Sequence, residues 1–250
     1  MTPKESGGVY SIEHVIRQGA FFFTDFSSSL LDLFFPGICM ACEEQQAIRN
    51  HLYCVHCTYE ISATQHWDHR QNEFTQKFVG RIPIEQGASL YKFVPGGLFQ
   101  KVIHKLKYQS RPEIGVHLGR IAGREMKKKW DLPDMIIPVP IHPQKLWTRG
   151  YNQAERIAYG ISQELSVPVH QRSLAKVHMT KSQTGFHRME RMNNVEDAFK
   201  LMDHKNYSKK HILLVDDVLT TGATLEACAK PLLQIPDIRI SMFTLAIGQL

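Results

Sequence analysis

One short apolar run limits the folds open to this chain more than any other segment. Residues 211–215 read HILLV, lead directly into Asp216 and Asp217, and are followed by the loop TTGAT at 220–224. Because the run has no polar alternation, it is typical of a parallel-sheet strand that is covered on both faces. Ligands of such sheets lie at the carboxyl ends of the strands. The sequence therefore predicts an α/β protein with a ligand site at 216–224.

The rest of the chain supports this fold class, because short apolar runs alternate with helical patterns. Such alternation predicts a parallel central sheet with helices on both faces. Pro231 is expected to kink or shorten the last helix after its first turns. Residues 62–76 are polar without a clear period and are interpreted as a linker. The predicted strands are 87–93, 134–141, 211–215 and 239–247, and the predicted helices are 98–108, 115–130, 152–165 and 224–233.

The order of residues at 216–224 indicates a particular kind of ligand. Adjacent carboxylates suit sugar hydroxyls or Mg²⁺ and would repel a bare phosphate. The loop that follows offers hydroxyl donors and successive backbone N–H groups at a helix N-terminus, which form an anion site without a lysine. Gly222 permits a positive φ and a close approach to the ligand. A ribose 5-phosphate fits this order; a magnesium site or two solvated turn residues remain alternatives. The loop donors are Thr220, Thr221, Gly222, Ala223 and Thr224.

Four of the five cysteines fall within nineteen residues, as two pairs with CxxC spacing. In a reducing compartment, two such knuckles separated by a short loop predict one tetrahedral zinc ion. Because four thiolates leave no open position, this zinc is expected to be structural. A redox dithiol pair or a site that has lost its metal are the alternatives, and His51 or His56 could replace one thiolate. The predicted ligands are Cys39, Cys42, Cys54 and Cys57.

Composition excludes several classes of protein. With 250 residues, of which 43% are hydrophobic, the chain can bury a core, so disorder is not expected. The net charge of +6 is a weak indication of anionic ligands. No stretch is apolar enough to span a membrane or to act as a signal peptide, so we expect a cytoplasmic protein.

We predict an extension over 1–20, an amphipathic helix and zinc module up to residue 62, and one large domain over 63–250. That helix lacks Lys and Arg on its polar face, which favours intramolecular packing over a membrane surface.

Two longer motifs carry a resemblance to known families. Residues 212–224, ILLVDDVLTTGAT, resemble the 5-phosphoribosyl 1-pyrophosphate (PRPP) signature of type I phosphoribosyltransferases. The RGYNQ string at 149–153 resembles the RGFNQ motif of the ComF family, in its ComFC/GntX branch of competence-associated proteins. The LKY string at 106–108, the segment 181–199 and the double CxxC agree with that family. Over residues 36–250 the chain is therefore identified as a member of the ComF family.

The resemblance implies a Rossmann-like phosphoribosyltransferase fold preceded by a small four-cysteine zinc finger. It assigns Asp216 and Asp217 to the ribose hydroxyls and 220–224 to the 5-phosphate. Arg149 is well suited to the pyrophosphate, because a guanidinium offers a bidentate fork. Asn152 and Gln153 would orient this arginine, or cap a helix. Lys107 and Tyr108 are candidates for contacts with the same anion; a snorkelling lysine and an aromatic residue at the rim are the alternatives. Arg188 and Arg191 are candidates for a loop that closes over the transition state.

The implied function is a phosphoribosyltransferase acting in DNA uptake, in which a nucleophile displaces Mg²⁺-pyrophosphate from the ribose. No acid–base pair stands out, and the sequence does not identify the acceptor. The rival hypothesis is a non-catalytic module that senses PRPP or a nucleotide. Its zinc finger would then bind a competence helicase, another DNA-uptake protein or single-stranded DNA. Lys127–Lys129 is interpreted as a solvated helix end, with nucleic-acid contact as the alternative. The absence of GxxxxGK, GxSxG and HExxH motifs gives no support to other enzyme classes.

Overall fold

The computed structural model describes residues 37–49, 51–176, 199–202 and 207–248. Contacts between Cα atoms divide the chain into two compact units, residues 1–55 and 56–250. The boundary proposed from the sequence, at 62/63, remains a prediction. Three sequence-based interpretations lie outside the described residues: the amphipathic helix that precedes the cysteines, and the roles of Arg188 and Arg191. Within the described part of the chain, no helix combines the length and the hydropathy that a membrane crossing needs.

In the first unit, backbone hydrogen bonds fold the segment around the first cysteine pair into a short hairpin. The Cys39 N–H donates to the Gln45 carbonyl at 2.8 Å, and Ile38 forms an antiparallel bridge with Gln46. The Met40 N–H donates to the Leu52 carbonyl at 2.8 Å. These bonds bring the segment after the first knuckle back towards the second one. The helix α1 (Val55–Glu60), which begins at the last residue of this unit, carries Cys57, which is buried.

The second unit is built around a four-stranded sheet in which every pairing is parallel. The strand order is β1-β6-β5-β2, with β5 paired to β6 from His211↔Arg239 to Leu219↔Ile247. A separate antiparallel pair is formed by β3 and β4. The strands are β1 (Gly87–Phe93), β2 (Met135–Pro138), β3 (Leu174–Lys176), β4 (Phe199–Leu201), β5 (His211–Leu219) and β6 (Arg239–Gly248). The helices are α2 (Glu73–Gln76), α3 (Leu98–Tyr108), α4 (Pro112–Lys129), α5 (Pro143–Arg149), α6 (Gln153–Leu165) and α7 (Ala223–Leu233).

Both faces of this sheet are covered, as the uninterrupted apolar strand requires. Ile212 and Leu214 belong to a buried cluster that also contains the apolar side of α7. Leu213 and Val215 point to the opposite face, where α6 packs on β2 and β5 and α4 packs on α6. The helices α4 and α6 approach so closely at Gly119 that a Cβ atom there would overlap the Ile157 carbonyl. The sheet is therefore covered on both faces beneath the residues at its carboxyl edge.

The structure confirms most of the predicted elements and differs from the prediction in several places. The strand predicted at 134–141 covers only Met135–Pro138, and the pair of β3 and β4 was not predicted. β5 extends four residues beyond the predicted end, so the carboxylates lie within the strand. The segment 62–76 is not a plain linker: it forms a 3₁₀ turn at His66–Asp68 and α2, which Asn72 caps. The helix α7 contains Pro231 and ends two residues after it, at Leu233. Near the helix end, the proline removes only the hydrogen bond to the Ala227 carbonyl. The helix α5, at 143–149, was not predicted.

Candidate functional site

Asp216 and Asp217 lie near the carboxyl end of β5 and line two different cavities. Asp216 lines a small cavity of about 30 Å³ together with the loop and the start of α7, residues 218–225. Asp217 lines a larger cleft of about 400 Å³ that α3 borders. Successive side chains of a strand point to opposite faces, which separates the two carboxylates. A ligand that lies across the end of β5 can therefore contact Asp216 on one face of the sheet and Asp217 on the other.

The two carboxylates differ in their electrostatic surroundings. Burial and the negative charge of Asp217 raise the pKa of Asp216 to about 7. Asp216 Oδ1 also accepts the Asp217 backbone N–H at 2.8 Å. Asp217 Oδ2 instead lies 3.0 Å from the Lys107 ammonium. The pair therefore does not carry two uncompensated charges near neutral pH. Such a pair, with one carboxylate paired to a lysine and the other partly protonated, suits hydrogen bonding to sugar hydroxyls.

The loop after β5 forms the small cavity and leads into the N-terminus of α7. Residues 220–224 line this cavity, and Gly222 occupies the N-cap position with φ +83° and no side-chain cap. A Cβ atom at Gly222 would lie 3.0 Å from the Phe78 ring as well as in a strained conformation. The first N–H groups of α7 have no partners within the helix and favour an anion. The structure thus places all five predicted loop residues around one anion-sized cavity.

Arg81 contacts this loop from outside and was missed in the sequence analysis. Its guanidinium donates to the Thr221 carbonyl at 2.7 Å and to the Lys77 carbonyl at 2.8 Å. It also forms an ion pair with Glu226 of α7. These contacts fix the orientation of the Thr221 peptide relative to α7. The sequence carried no signal for this role, because Arg81 stands 140 positions before Thr221 in no recognisable motif.

Arg149 lies at the end of α5 and has two neighbours that hold its guanidinium. It donates to Gln153 Oε1 at 2.8 Å, and its guanidinium carbon lies 5.2 Å from the centre of the Tyr108 ring. Gln153 therefore contacts this arginine in the way proposed from the sequence. Asn152 instead serves as the helix cap: its Oδ1 accepts the Ala154 N–H, and its amide donates to the Val139 carbonyl, both at 3.0 Å. The capping alternative is thus the one that the structure shows for Asn152.

Three consecutive residues at the end of α3 contact both halves of the candidate site. Lys107 pairs with Asp217 of β5, whereas Tyr108 packs under Arg149. The Tyr151 hydroxyl donates to the Leu106 carbonyl, which ties the start of the α6 loop to the same turn. Tyr151 is a second residue whose contact the sequence analysis missed. The LKY string is therefore placed between Asp217, which Lys107 contacts, and Arg149, which Tyr108 contacts.

The four predicted cysteines form one cluster, with all Sγ atoms within 4.8 Å of one another. The sulfurs of Cys42 and Cys54 are 3.9 Å apart. Zn–S bonds of about 2.3 Å in a tetrahedron put sulfurs about 3.8 Å apart, so the spacing fits a metal ion. Burial alone would raise the pKa of Cys39, but the N–H groups of Cys42, Cys54 and Ala41 lower it to about 6. The cluster is consistent with a zinc finger and includes neither His51 nor His56.

The parallel sheet, the carboxylates at the end of β5 and the anion loop together define a Rossmann-like phosphoribosyltransferase fold, which follows the four-cysteine module in the chain. No family model matches the sequence. It is, however, 31% identical to competence protein F of Haemophilus influenzae over 220 residues, 84% of this chain and 90% of that protein. The chain belongs to the ComF family.

Further relatives are more distant or cover less of the chain. Competence protein ComFC of Bacillus subtilis is 25% identical over 79% of this chain and 72% of its own length. The DNA utilization protein YhgH of Escherichia coli K12 is 30% identical over 53% of this chain and 60% of its own length.

Solved structures with a similar fold include two phosphoribosyl proteins. The purine phosphoribosyltransferase from Pyrococcus horikoshii has a TM-score of 0.35 and 18% identity, over 53% of this chain and 74% of that one. Glutamine PRPP amidotransferase from B. subtilis has a TM-score of 0.39 and 14% identity, over 56% and 30%. Scores of this size support no conclusion about activity.

Proposed function

We propose that residues 56–250 bind PRPP at the carboxyl end of β5. The observation that carries the proposal is the pairing of two unlike carboxylates with an anion-sized cavity at one strand end. In this assignment, Asp216 and Asp217 accept hydrogen bonds from the ribose hydroxyls. The 5-phosphate occupies the cavity of residues 220–224, where backbone N–H groups and the α7 dipole stabilise its charge.

The pyrophosphate of the ligand is assigned to Lys107 and Arg149. Both cations lie beside the turn at the end of α3, and Gln153 and Tyr108 hold the guanidinium in place. Mg²⁺ would enter on the pyrophosphate, because Asp217 is already neutralised by Lys107 and Asp216 has a raised pKa. The bound ion would neutralise part of the leaving-group charge. The side chains of this protein would then clamp the two ends of the substrate and orient the anomeric carbon.

We further propose that the protein is a phosphoribosyltransferase that serves DNA uptake. The relatives bear names that refer to competence and to DNA utilization, which supports this cellular role. The cluster of four cysteines is assigned a structural zinc ion, since its donors and spacing fit zinc and it has no vacant fourth position. The zinc module would contact a competence helicase or another uptake protein, or single-stranded DNA.

The second candidate function is a non-catalytic sensor of PRPP or a nucleotide. This function needs only the two carboxylates and the anion-sized cavity and no acceptor, and the fold serves both kinds of protein. In a sensor, binding would occur without any release of pyrophosphate.

Calorimetric titration with PRPP and Mg²⁺ tests the binding proposal. We expect the wild-type protein to bind one PRPP per chain and the Asp216→Asn/Asp217→Asn variant to lose binding. A matched control, Asp131→Asn/Asp237→Asn, removes the same two charges outside the site and should bind like the wild type. Equal affinity in the site variant would sink the assignment of the carboxylates. Pyrophosphate release in the same samples, with candidate acceptors present, distinguishes an enzyme from a sensor.

A further inference from the structure

The hydroxyl of Tyr151 joins the end of α3 to the start of α4, although Tyr151 belongs to neither helix. It donates to the Leu106 carbonyl in the last turn of α3 and accepts the backbone N–H of Arg111, which immediately precedes α4. Ser110, which lies between these two residues in the chain, has φ +52°. In helices that end at such a left-handed residue, these two backbone groups commonly bond to each other directly. Here a hydroxyl from a third segment lies between them and closes the turn.

The segment that supplies this hydroxyl also carries the arginine assigned to the pyrophosphate. Tyr151 follows Arg149 by two residues, and the Arg149 guanidinium carbon lies 5.2 Å from the centre of the Tyr108 ring. The Tyr151 hydroxyl contacts Leu106, two positions before Tyr108. The two segments are therefore joined at both ends of the LKY string, and Lys107 lies between the two anchored residues.

The hydroxyl is a donor throughout the physiological pH range. Burial and the negative charge of Glu113 raise the pKa of Tyr151, which is about 10 in an exposed tyrosine. The Leu106 carbonyl is one of the last four carbonyls of α3, for which the helix provides no N–H partner. Loss of the hydroxyl would leave this carbonyl to water. The end of α3 would then lose a fixed contact with the segment that carries Arg149.

We propose that Tyr151 is a positioning residue, whose hydroxyl holds Lys107 and Arg149 in the arrangement that binds the pyrophosphate of PRPP. The inference rests on the proposed function, which assigns the pyrophosphate to these two cations. Tyr151 acts through the backbone of α3 and not on the ligand itself. Two cations that are already aligned lose little freedom when a ligand joins them, so the alignment increases affinity. The effect should appear for ligands that carry pyrophosphate and be absent for ribose 5-phosphate.

The Tyr151→Phe variant tests this role, because it removes the hydroxyl and keeps the ring. Calorimetric titrations with PRPP, Mg²⁺-pyrophosphate and ribose 5-phosphate measure the effect. We expect the dissociation constants for the first two ligands to rise roughly two- to tenfold, as for one neutral hydrogen bond, and that for ribose 5-phosphate to stay unchanged. Tyr159→Phe, which removes a hydroxyl from the exposed surface of α6, is the matched control and should change none of the three.

A second background tests whether the hydroxyl acts through Lys107. In a Lys107→Met protein, the site lacks one of the cations that the hydroxyl aligns. Tyr151→Phe should then change the dissociation constant for PRPP by less than about twofold, because the two side chains depend on each other. An equal loss with and without Lys107 would mean that the two side chains act independently, which contradicts the proposal.

The outcomes separate this role from the proposed function. If PRPP binds equally to the wild type and to Tyr151→Phe, the positioning role is overturned and the PRPP site stands. The same holds if the variant loses affinity for ribose 5-phosphate and PRPP to the same extent, since the hydroxyl then supports the fold as a whole. If Mg²⁺-pyrophosphate binding depends on Tyr151 but ribose 5-phosphate does not bind, the positioning role is supported and the sugar–phosphate assignment fails. If the wild type binds none of the three ligands, both proposals are wrong.

Discussion

The cysteine cluster and the candidate sugar–phosphate site are assembled from the chain in opposite ways. The four thiols come from nineteen consecutive residues, and short backbone hydrogen bonds bring the two pairs together. The sugar–phosphate site combines segments up to 140 residues apart, from Arg81 to Thr221, on the edge of a buried sheet. A local site depends on its metal ligands, whereas a dispersed site depends on the scaffold that aligns its parts. Substitutions should therefore have large, all-or-none effects in the first region and graded effects in the second.

Removal of two thiols should give the largest effect. Cys39→Ser/Cys42→Ser is expected to reduce the zinc content from one ion per chain to none, because two thiolates cannot hold the ion in a closed tetrahedral shell. Elemental analysis of the purified protein measures this directly. Cys228→Ser is the matched control, since it removes a buried thiol outside the cluster and should leave the zinc content unchanged. A full zinc content in the double variant would refute the ligand assignment.

In the candidate sugar–phosphate site, loss of the Arg149 guanidinium should have a smaller effect that is specific to one ligand. Arg149→Lys keeps the charge but loses the planar fork and its contact with Gln153. We expect the dissociation constant for PRPP to rise by roughly ten- to a hundredfold, as for one charged hydrogen bond, with no change for ribose 5-phosphate. Calorimetry with both ligands measures the difference. Arg156→Lys on the exposed side of α6 is the control, and an equal loss for both ligands would argue against a pyrophosphate role.

Arg81 should act through the loop and not on the ligand itself. Arg81→Met removes the hydrogen bond to the Thr221 carbonyl and the ion pair with Glu226. We expect ribose 5-phosphate to bind roughly fivefold more weakly, which corresponds to about 1 kcal/mol of lost orientation. Arg70→Met, which breaks an exposed ion pair with Asp131, is the matched control. If the two variants bind alike, the loop does not depend on Arg81.

Asp216 differs from the other residues of this site in that its predicted effect is on stability. Its pKa is raised to about 7 in the folded protein, whereas an unperturbed aspartate titrates near 3.9. The folded state therefore binds a proton that the unfolded state releases, and stability falls as pH rises from about 4 to 7. Asp216→Asn removes the cost of the buried charge, so its melting temperature should exceed that of the wild type at pH 8.

The pH dependence of this gain separates a charge effect from a packing effect. The rise is expected to be about 2–4 °C for each kcal/mol recovered, and it should shrink as pH approaches 4. Thermal melts of both proteins at pH 8, 6 and 4 measure it. A gain that is constant with pH would contradict a raised pKa for Asp216.

The sequence predicted the local features well and the long-range contacts poorly. The strand at 87–93 and the helix at 98–108 were predicted with their observed bounds, because periodicity within a few residues determines them. The cysteine cluster was predicted from the CxxC spacing, and residues 220–224 line one small cavity because they are consecutive in one loop. Arg81 and Tyr151 were not, since their partners lie 140 and 45 positions away and no spacing rule connects them.

Neighbouring structure also decided between alternatives that the sequence had left open. Asn152 was a candidate for a ligand contact and for a helix cap, and the turn from Val139 into α6 makes it the cap. The cleft beside Asp217 had no signature in the sequence, because its walls come from β1, α3 and β5. Pro231 lies close enough to the end of α7 for the helix to continue past it. Contacts between residues distant in sequence determine the first two features, and the position of Pro231 near the helix end determines the third. The local sequence pattern does not contain this information.

The central claim is that a ribose 5-phosphate lies at the carboxyl end of β5, and a crystal structure of the protein with ribose 5-phosphate tests it most directly. We predict the phosphate among the backbone N–H groups of residues 220–224, and the ribose hydroxyls within hydrogen-bonding distance of Asp216 and Asp217. A sugar bound elsewhere on the protein, with the loop empty at saturating ligand, would contradict the claim.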